Sequence, residues 1–406
     1  MVQFRNATLE DHSWRTGGGA SILGSAIAAL TIQAAIDFFP APGTQRTLVS
    51  CDDGTLRKDN GLGGSWVTLA SGLTVSGQVP FWTAGGVETV GRSRKAFHCD
   101  RINAVRVLAA DAATMSALAS PPADWTGTNQ PGWLVVHEGY LWGGGNVNSP
   151  HTAYRSLQTN HEDFLTTPYS LAVYPGVGER LSAGLSYKGG LLLWKDPEGV
   201  FFVDTSDSTP ANWRVYPVGV AGAAGPGCVV GIEDDVIWVS PDGSWHLISA
   251  TQATGSVRAS DLTYRKLGSW AVQQINFERA QYIQIAYYPL KQEVHMACSA
   301  IGQTQKNRRL VLDWNRRGDV GERWIWWDAA RNEALFIRKK AGRLIPAMGD
   351  ASGQIWELDQ ASRNRNGASY TFEWFMADTD FSAIEPAWRG RRLNGRFIQL
   401  EYDPRS

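Results

Sequence analysis

Four times along the chain an apolar or aromatic run enters an Asp-Gly-type turn and leaves as a second apolar run. The copies are Leu48-Val49-Ser50-Cys51-Asp52-Asp53-Gly54-Thr55-Leu56, Leu191-Leu192-Leu193-Trp194-Lys195-Asp196-Pro197-Glu198-Gly199-Val200-Phe201-Phe202-Val203, Val236-Ile237-Trp238-Val239-Ser240-Pro241-Asp242-Gly243-Ser244-Trp245-His246-Leu247 and, more loosely, Met348-Gly349-Asp350-Ala351-Ser352-Gly353-Gln354-Ile355-Trp356-Glu357-Leu358. A tight turn with positive φ at its central residues matches the twist of the flanking strands and demands Gly, Asn or Asp, so each copy predicts a β-hairpin. Recurrence of one supersecondary unit constrains the fold more than any single motif does.

The turn glycines give the period. Gly54 to Gly199 is 145 residues, Gly199 to Gly243 is 44 and Gly243 to Gly353 is 110. These divide into three, one and two units of roughly 45 to 55 residues, near the blade length of a β-propeller. Six intervals imply six or seven blades. Weaker turns fall where the missing units are expected: Gly85-Gly86, Glu138-Gly139 and the Pro289-Leu290-Lys291 corner. The expected fold class is therefore all-β, a propeller of six or seven blades. The chain's 43 Gly, 18 Pro and 18 Trp agree, because turn formers and large aromatics abound while long Ala/Leu/Glu/Lys stretches are missing. Most of the tryptophans are expected to fill the wedges between blades.

Charge and cysteine usage exclude several function classes. Lys plus Arg total 38 against 39 Asp plus Glu, so no general basic field drives nucleic-acid or membrane binding. Cys51, Cys99, Cys228 and Cys298 stand far apart, without the close pairs of a zinc or redox motif, and are expected to be buried free thiols. The apolar segment from Ile22 to Phe39 is interrupted by Ser25, Thr31, Gln33 and Asp37, which argues against a transmembrane helix. Glu10, Asp11 and Gly17-Gly18-Gly19 precede it where a signal peptide would carry a basic head, so a soluble, cytoplasmically made protein is expected.

Three regions are expected: residues 1–44 as an amino-terminal arm with a closing strand, 45–359 as the propeller, and 360–406 as a carboxy-terminal β extension. In the first, Ile32, Ile36 and Phe38 alternate with Gln33 and Asp37 and predict a strand ending at Pro40 that completes the last blade. Asp111 to Ala119, rich in Ala and stopped by Pro121-Pro122, is the only helix-permissive stretch. In the last region Tyr370 to Phe375 and Arg396 to Tyr402 predict two strands joined by an Arg-rich connection. Two strands alone do not make a stable domain, so this tail is expected to dock on the propeller or on another subunit.

No motif carries catalysis. Gly19-x4-Gly24-Ser25 has phosphate-loop spacing but lacks the Lys, and is read as a flexible glycine loop. Ser240-Pro241-Asp242-Gly243-Ser244-Trp245 resembles the Asp-box turn of sialidase propellers but is one residue short, so an ordinary hairpin with a core Trp is expected. Trp327-Asp328 is the dipeptide of WD repeats, without the Gly-His partner. His151 and His161 lie near Glu162 and Asp163 without a ligand pattern, and a solvated loop is expected. Glu233-Asp234-Asp235 gathers acids at a turn. The run Lys306, Arg308, Arg309, Arg316, Arg317, followed by Arg338-Lys339-Lys340 and Arg343, reads either as a solvated blade edge protected from edge-to-edge pairing or as a contact for an acidic neighbour or nucleic acid. No catalytic, cofactor-binding or metal-binding residue is expected.

Several segments together resemble propeller-type structural virion proteins of tailed bacteriophages. They are Thr44 to Ser50 running on to Asp59, Ser249-Ala250-Thr251-Gln252-Ala253-Thr254-Gly255-Ser256-Val257-Arg258-Ala259-Ser260-Asp261-Leu262 after the Asp242-Gly243 hairpin, the opening Phe4 to Asp11 with Trp14-Arg15-Thr16-Gly17-Gly18, and Tyr370 to Phe381 with Trp388-Arg389. The likeness is to tail nozzle, or tail tubular, proteins of short-tailed phages. It implies a virion tail protein made in the host cytoplasm, a ring of six copies that extends the DNA conduit for genome ejection, contacts with a head–tail adaptor and with tail fibre or other tail proteins, passage of double-stranded DNA without sequence-specific binding, no membrane insertion, no enzymatic activity and no cofactor. Subunit contacts are expected at Trp14, Arg15, Tyr370, Phe372, Trp374, Trp388, Arg389, Arg391 and Arg392. A receptor- or carbohydrate-binding propeller, with Trp142 or Trp213 stacking on sugars, and a propeller glycoside hydrolase are the rival readings.

Overall fold

Alternate side chains of one strand serve two different cores, and this explains the apolar runs. In Gly190–Asp196, Leu191 and Leu193 pack with Trp133, Trp142 and Leu181 on one side, while Leu192 and Trp194 pack with Val236 and Trp238 on the other. A strand sandwiched between neighbouring sheets buries both faces, so period-2 polarity disappears from its sequence. Each fully buried Leu of this kind contributes roughly 1.5–3 kcal/mol.

The computed structural model describes residues 3–5, 7–10, 13–16, 19–61, 65–85, 94–207, 209–249, 274–314, 324–327, 332–360, 372–375 and 398–400. Seven antiparallel sheets follow one another around an axis, so the chain is a seven-bladed β-propeller. Their inner strands are Ile32–Ala41, Phe81–Gly85, Trp133–His137, Arg180–Tyr187, Val229–Ile232, Gln284–Tyr288 and Ala334–Lys340, numbered here as blades one to seven. Each inner strand neighbours the next, and Ala334–Lys340 lies beside Ile32–Ala41 to close the ring.

Hydrophobic clusters occupy the wedges. Phe38, Leu48, Trp82 and Leu108 fill the first, Phe97, Val107, Leu134 and Leu141 the second, and Ile237, Trp245, Val294 and Leu310 the one between blades five and six. Trp133, Trp142, Trp194, Trp238, Trp245 and Trp314 are among the largest fully buried side chains, as a wedge-filling role requires. All four cysteines are buried free thiols. Burial pushes the Cys51 and Cys228 thiols up to about 12.

The repeated turn is one structure in three of its copies. In Cys51–Thr55, Ser240–Ser244 and Asp350–Gln354 the first residue's N–H donates to the fifth residue's carbonyl, and the Gly N–H donates to the first carbonyl. Gly54, Gly243 and Gly353 take φ of 75°, 82° and 77°. Close approach adds to the demand for Gly: a Cβ on Gly54 would lie 2.3 Å from the Leu73 carbonyl oxygen, where the chain leaving blade one crosses the turn. The Gly199 copy differs, with its glycine already inside the third strand, Glu198–Asp204, at φ 110°. All four copies join the second and third strands of a blade, so antiparallel topology places them at one end of the propeller. Glu138-Gly139 and the Pro289 corner instead join first and second strands and lie at the other end.

Other expectations are corrected. Ile32–Ala41 is the inner strand of blade one, pairing with Thr44–Cys51, and the strand that closes blade seven is Gly19–Leu23, antiparallel to Ile355–Gln360. The glycine segment expected to be a flexible loop therefore begins with a paired strand. Asp111 to Ala119 forms no helix: it turns and pairs Ser116–Ala117 with the third strand of blade two. No helix among the described residues is long and apolar enough to cross a membrane.

Candidate functional site

The departures from the repeat converge on blade six. Its four strands, ending with Trp324–Trp327, continue into Gln3–Arg5, then Phe372–Phe375, then Ile398–Leu400, giving a seven-stranded sheet. Gln3–Arg5 pairs in parallel with Trp324–Trp327, Phe4 opposite Ile325, and antiparallel with Phe372–Phe375, Phe4 opposite Trp374. Phe372 in turn stands opposite Leu400. The two expected tail strands thus pair with each other and dock on the propeller. Of the expected contact residues, Phe372 and Trp374 lie on this added sheet. Trp14 and Arg15 lie on a separate hairpin of Ala7–Glu10 and Ser13–Thr16, opposite Leu9 and Thr8. Tyr370, Trp388, Arg389, Arg391 and Arg392 lie outside the described residues, as does most of the Ser249 to Leu262 run.

A second concentration of polar chemistry sits at the end of the central channel that carries the repeated turns. A cavity of about 270 Å³ opens there between the starts of inner strands. Gln33 is its hub: its side-chain oxygen accepts from Gln78 Nε2 at 2.6 Å, and its carbonyl accepts from Gln284 Nε2 at 3.1 Å and Lys306 Nζ at 3.2 Å. Arg101, in the second-to-third-strand turn of blade two, reaches across to Gln281 at the entrance of blade six, Nη1 donating to Oε1 at 3.3 Å.

Burial governs the electrostatics of this mouth. It pushes Lys306 down to about 8 against the opposing pull of Glu333, and it raises Glu333 against the pull of Lys306 and Arg279. It also pushes Arg101 down to about 10, with the neighbouring Arg180 adding to the shift. Asp196, whose carboxylate meets Arg180 Nη2 at 3.5 Å, is raised for the same reason. Nothing in the sequence marks Arg101, Arg279 or Glu333. Their only signal is position: Arg101 and Glu333 lie just outside strand ends, and Arg279 lies in the short 3-10 segment Phe277–Tyr282 that leads into the inner strand of blade six. Lys306, expected either on a solvated edge or at a partner contact, is buried beside this cavity.

The remaining candidates are held in structural bonds. His161 Nε2 donates to the Gly139 carbonyl at 2.7 Å, Glu162 accepts from Lys95 at 2.5 Å, and His151 Nδ1 accepts from Lys195 Nζ at 3.2 Å. The buried His161 contradicts the expectation of a solvated loop there. Glu233 accepts from Tyr287 and Gln292, tying blade five to blade six. Arg338 and Lys340 both meet Glu357, at 2.7 and 2.5 Å. Asp242 accepts from the Ser240 hydroxyl and the Ser244 N–H, a turn cap, and Trp245 beside it is fully buried. Trp142 is fully buried against Tyr169 and the half-buried Trp213, so it offers no face to a sugar. No group of three His, Cys, Asp or Glu that could hold a metal occurs among the described residues.

No family model matches the chain, and no curated protein matches its sequence. Among solved structures it is similar to the computationally designed Ika8 protein, at 10% identity and a TM-score of 0.45 over 83% of this chain and 99% of that one. It is similar to a chain of the mitotic checkpoint complex at 12% identity and 0.49, covering 84% and 94%. It is also similar to PorZ, a surface component of the type-IX secretion system of Porphyromonas gingivalis, at 12% identity and 0.46, covering 84% of this chain and 38% of that one. These are likenesses of shape, and what those proteins do is not transferred to this chain.

Proposed function

We propose that this chain is a structural subunit of a tailed-phage virion, of the tail-nozzle kind, and that several copies form a ring around the DNA conduit. The observation that carries the reading is the augmented blade. A propeller supplies a rigid body whose own sheets are short and protected, whereas blade six is extended by strands from both ends of the described chain. Ile398–Leu400 ends this sheet among the described residues, and an added outer strand is the kind of element through which a neighbouring copy pairs, by main-chain hydrogen bonds with side chains setting the register. A head-to-tail contact of this kind, repeated by rotation, closes a ring.

The propeller's own channel is not the conduit in this reading. Its mouth is crossed by Arg101 and by the Gln33 network, so DNA passes between subunits. The near-balanced charge of the chain suits passage, because a basic lumen would grip phosphates by counterion release. The reading also rests on the resemblance of Thr44 to Asp59, of the opening Phe4 to Gly18, and of Tyr370 onward.

The test is co-assembly. Purified full-length chain is mixed with a portal–adaptor complex of a short-tailed phage and examined by negative-stain electron microscopy. Rings added below the adaptor are expected. A chain that stays separate from the complex, yet binds a glycan array in a manner lost on Trp213→Ala, would replace this reading with the carbohydrate-binding one.

A further inference from the structure

The cavity at the channel mouth lies where several blades meet. Gln33, Phe81, Val229, Gln284 and Leu335, at the starts of the inner strands of blades one, two, five, six and seven, all line it. Its charges balance without pairing. Lys306 and Arg279 line it together with Glu333 and Asp52, and among the described residues none of the four joins another in an ion pair. Lys306 is 6% exposed, and its ammonium makes one side-chain hydrogen bond, to the Gln33 carbonyl at 3.2 Å, so two of its donors are unused. Glu333 is 8% exposed, and its carboxylate accepts from the Lys306 main-chain N–H rather than from the ammonium. The Arg279 guanidinium lies 4.1 Å over the Tyr282 ring and has a buried Nε without an acceptor.

We propose that this cavity binds a small zwitterion of the α-amino-acid kind, its carboxylate held by Lys306 and Arg279 and its ammonium by Glu333. Both signs decide the class. A simple anion entering the cavity meets the Glu333 carboxylate, and a simple cation meets Lys306 and Arg279, whereas a molecule carrying both charges satisfies all three groups. Lys306 and Glu333 each oppose the other's burial shift, so the two face one shared space although their charged atoms do not pair. Charges held dry without a partner cost stability, and such groups gather in clefts that a ligand completes. The volume sets the size. Pockets for small molecules run about 300–1,000 Å³, so a cavity of about 270 Å³ takes one small molecule rather than a peptide. Trp82 and Tyr282, also in its wall, give apolar surface to the rest of the molecule.

The experiment is a calorimetric titration of the full-length protein at pH 7 with L-alanine and with L-glutamine, each to about 10 mM, and with propionate and ethylamine as probes that carry one charge each. Saturable binding of at least one amino acid is expected, at least tenfold tighter than that of propionate or ethylamine. Lys306→Met should weaken amino-acid binding at least tenfold while leaving the urea midpoint unchanged or raised, because a dehydrated charge is gone. Glu333→Gln should bring the amino acid and propionate to within about threefold of each other, since the group that tells them apart is lost. Circular dichroism of both variants reports folding, and Glu333→Gln tests the site should Lys306→Met fail to fold. No saturable binding of either amino acid by the unmodified protein, propionate binding as tightly as the better of the two, or an unchanged preference in Glu333→Gln overturns the proposal.

Discussion

Asp350 holds the seam of the ring, and its replacement by Asn tests whether the repeated turn is scaffold. The side chain is 2% exposed. Its Oδ1 accepts from the Ser352 N–H, the Ser352 hydroxyl and the Gln354 N–H, each at 2.8 Å, and its Oδ2 accepts from Trp356 Nε1 at 2.8 Å. Its carbonyl receives the Ile32 N–H at 3.1 Å, which ties blade seven to the inner strand of blade one. Asn keeps one oxygen for the turn but turns a donor toward the Trp356 indole. Bonds to a charged acceptor are worth about 1.5–3 kcal/mol, against about 0.5–1.5 for neutral ones, and a mismatched buried donor costs about 1–3. Asp350→Asn should therefore destabilise by about 3 kcal/mol, which for a chain of this length lowers the melting temperature by about 3 °C. Thermal and urea unfolding followed by circular dichroism measure it. In a Trp356→Phe background the cost should fall by about 1 kcal/mol, because the indole donor is gone. A variant within about 0.5 kcal/mol of the parent, or the same cost in both backgrounds, would refute the reasoning.

Further outcomes follow from the same packing. Burial pushes His98 down to about 4, beside Trp82 at 4.9 Å, so the folded protein binds its proton later than the unfolded chain does. Stability from this group is complete above pH 6.5 and is lost as pH falls toward 4, by about 3 kcal/mol at most; urea midpoints for His98→Phe should fall less over that window than those of the parent. Gly54→Ala places a methyl against the Leu73 carbonyl at positive φ and should cost about 2–4 kcal/mol, read as a lowered unfolding midpoint at unchanged slope. Glu357→Gln removes the buried carboxylate shared by Arg338 and Lys340 beside the closing strand and should cost about 2–3 kcal/mol, read by the same unfolding assay.

What the sequence made legible was local. Left-handed glycines at Gly54, Gly243 and Gly353 announce their turns because the constraint resides in the residue itself, and their spacing carries the blade number to within one. Runs such as Leu191 to Trp194 announce strands buried on both faces. Long-range decisions stayed hidden. Gly19–Leu23 becomes the closing strand only because Ile355–Gln360, more than 300 residues away, offers it an edge. Asp111 leaves the helix its Ala-rich neighbours favour because Arg46 and Lys58 hold its carboxylate at 2.5 and 2.6 Å. The channel mouth was least legible of all, since Arg101, Arg279, Lys306 and Glu333 come together only when seven blades close. Four of the nine expected contact residues lie on described strands, Phe372 and Trp374 on the augmented sheet and Trp14 and Arg15 on the separate hairpin.

Assembly into a ring through the strands added to blade six is the step on which the proposed function depends. Native mass spectrometry of the full-length protein at micromolar concentration tests it most directly. A closed species of six chains that survives dilution and is lost when residues 361–406 are deleted is expected. A chain that remains monomeric across that range, or an assembly unchanged by the deletion, would contradict it.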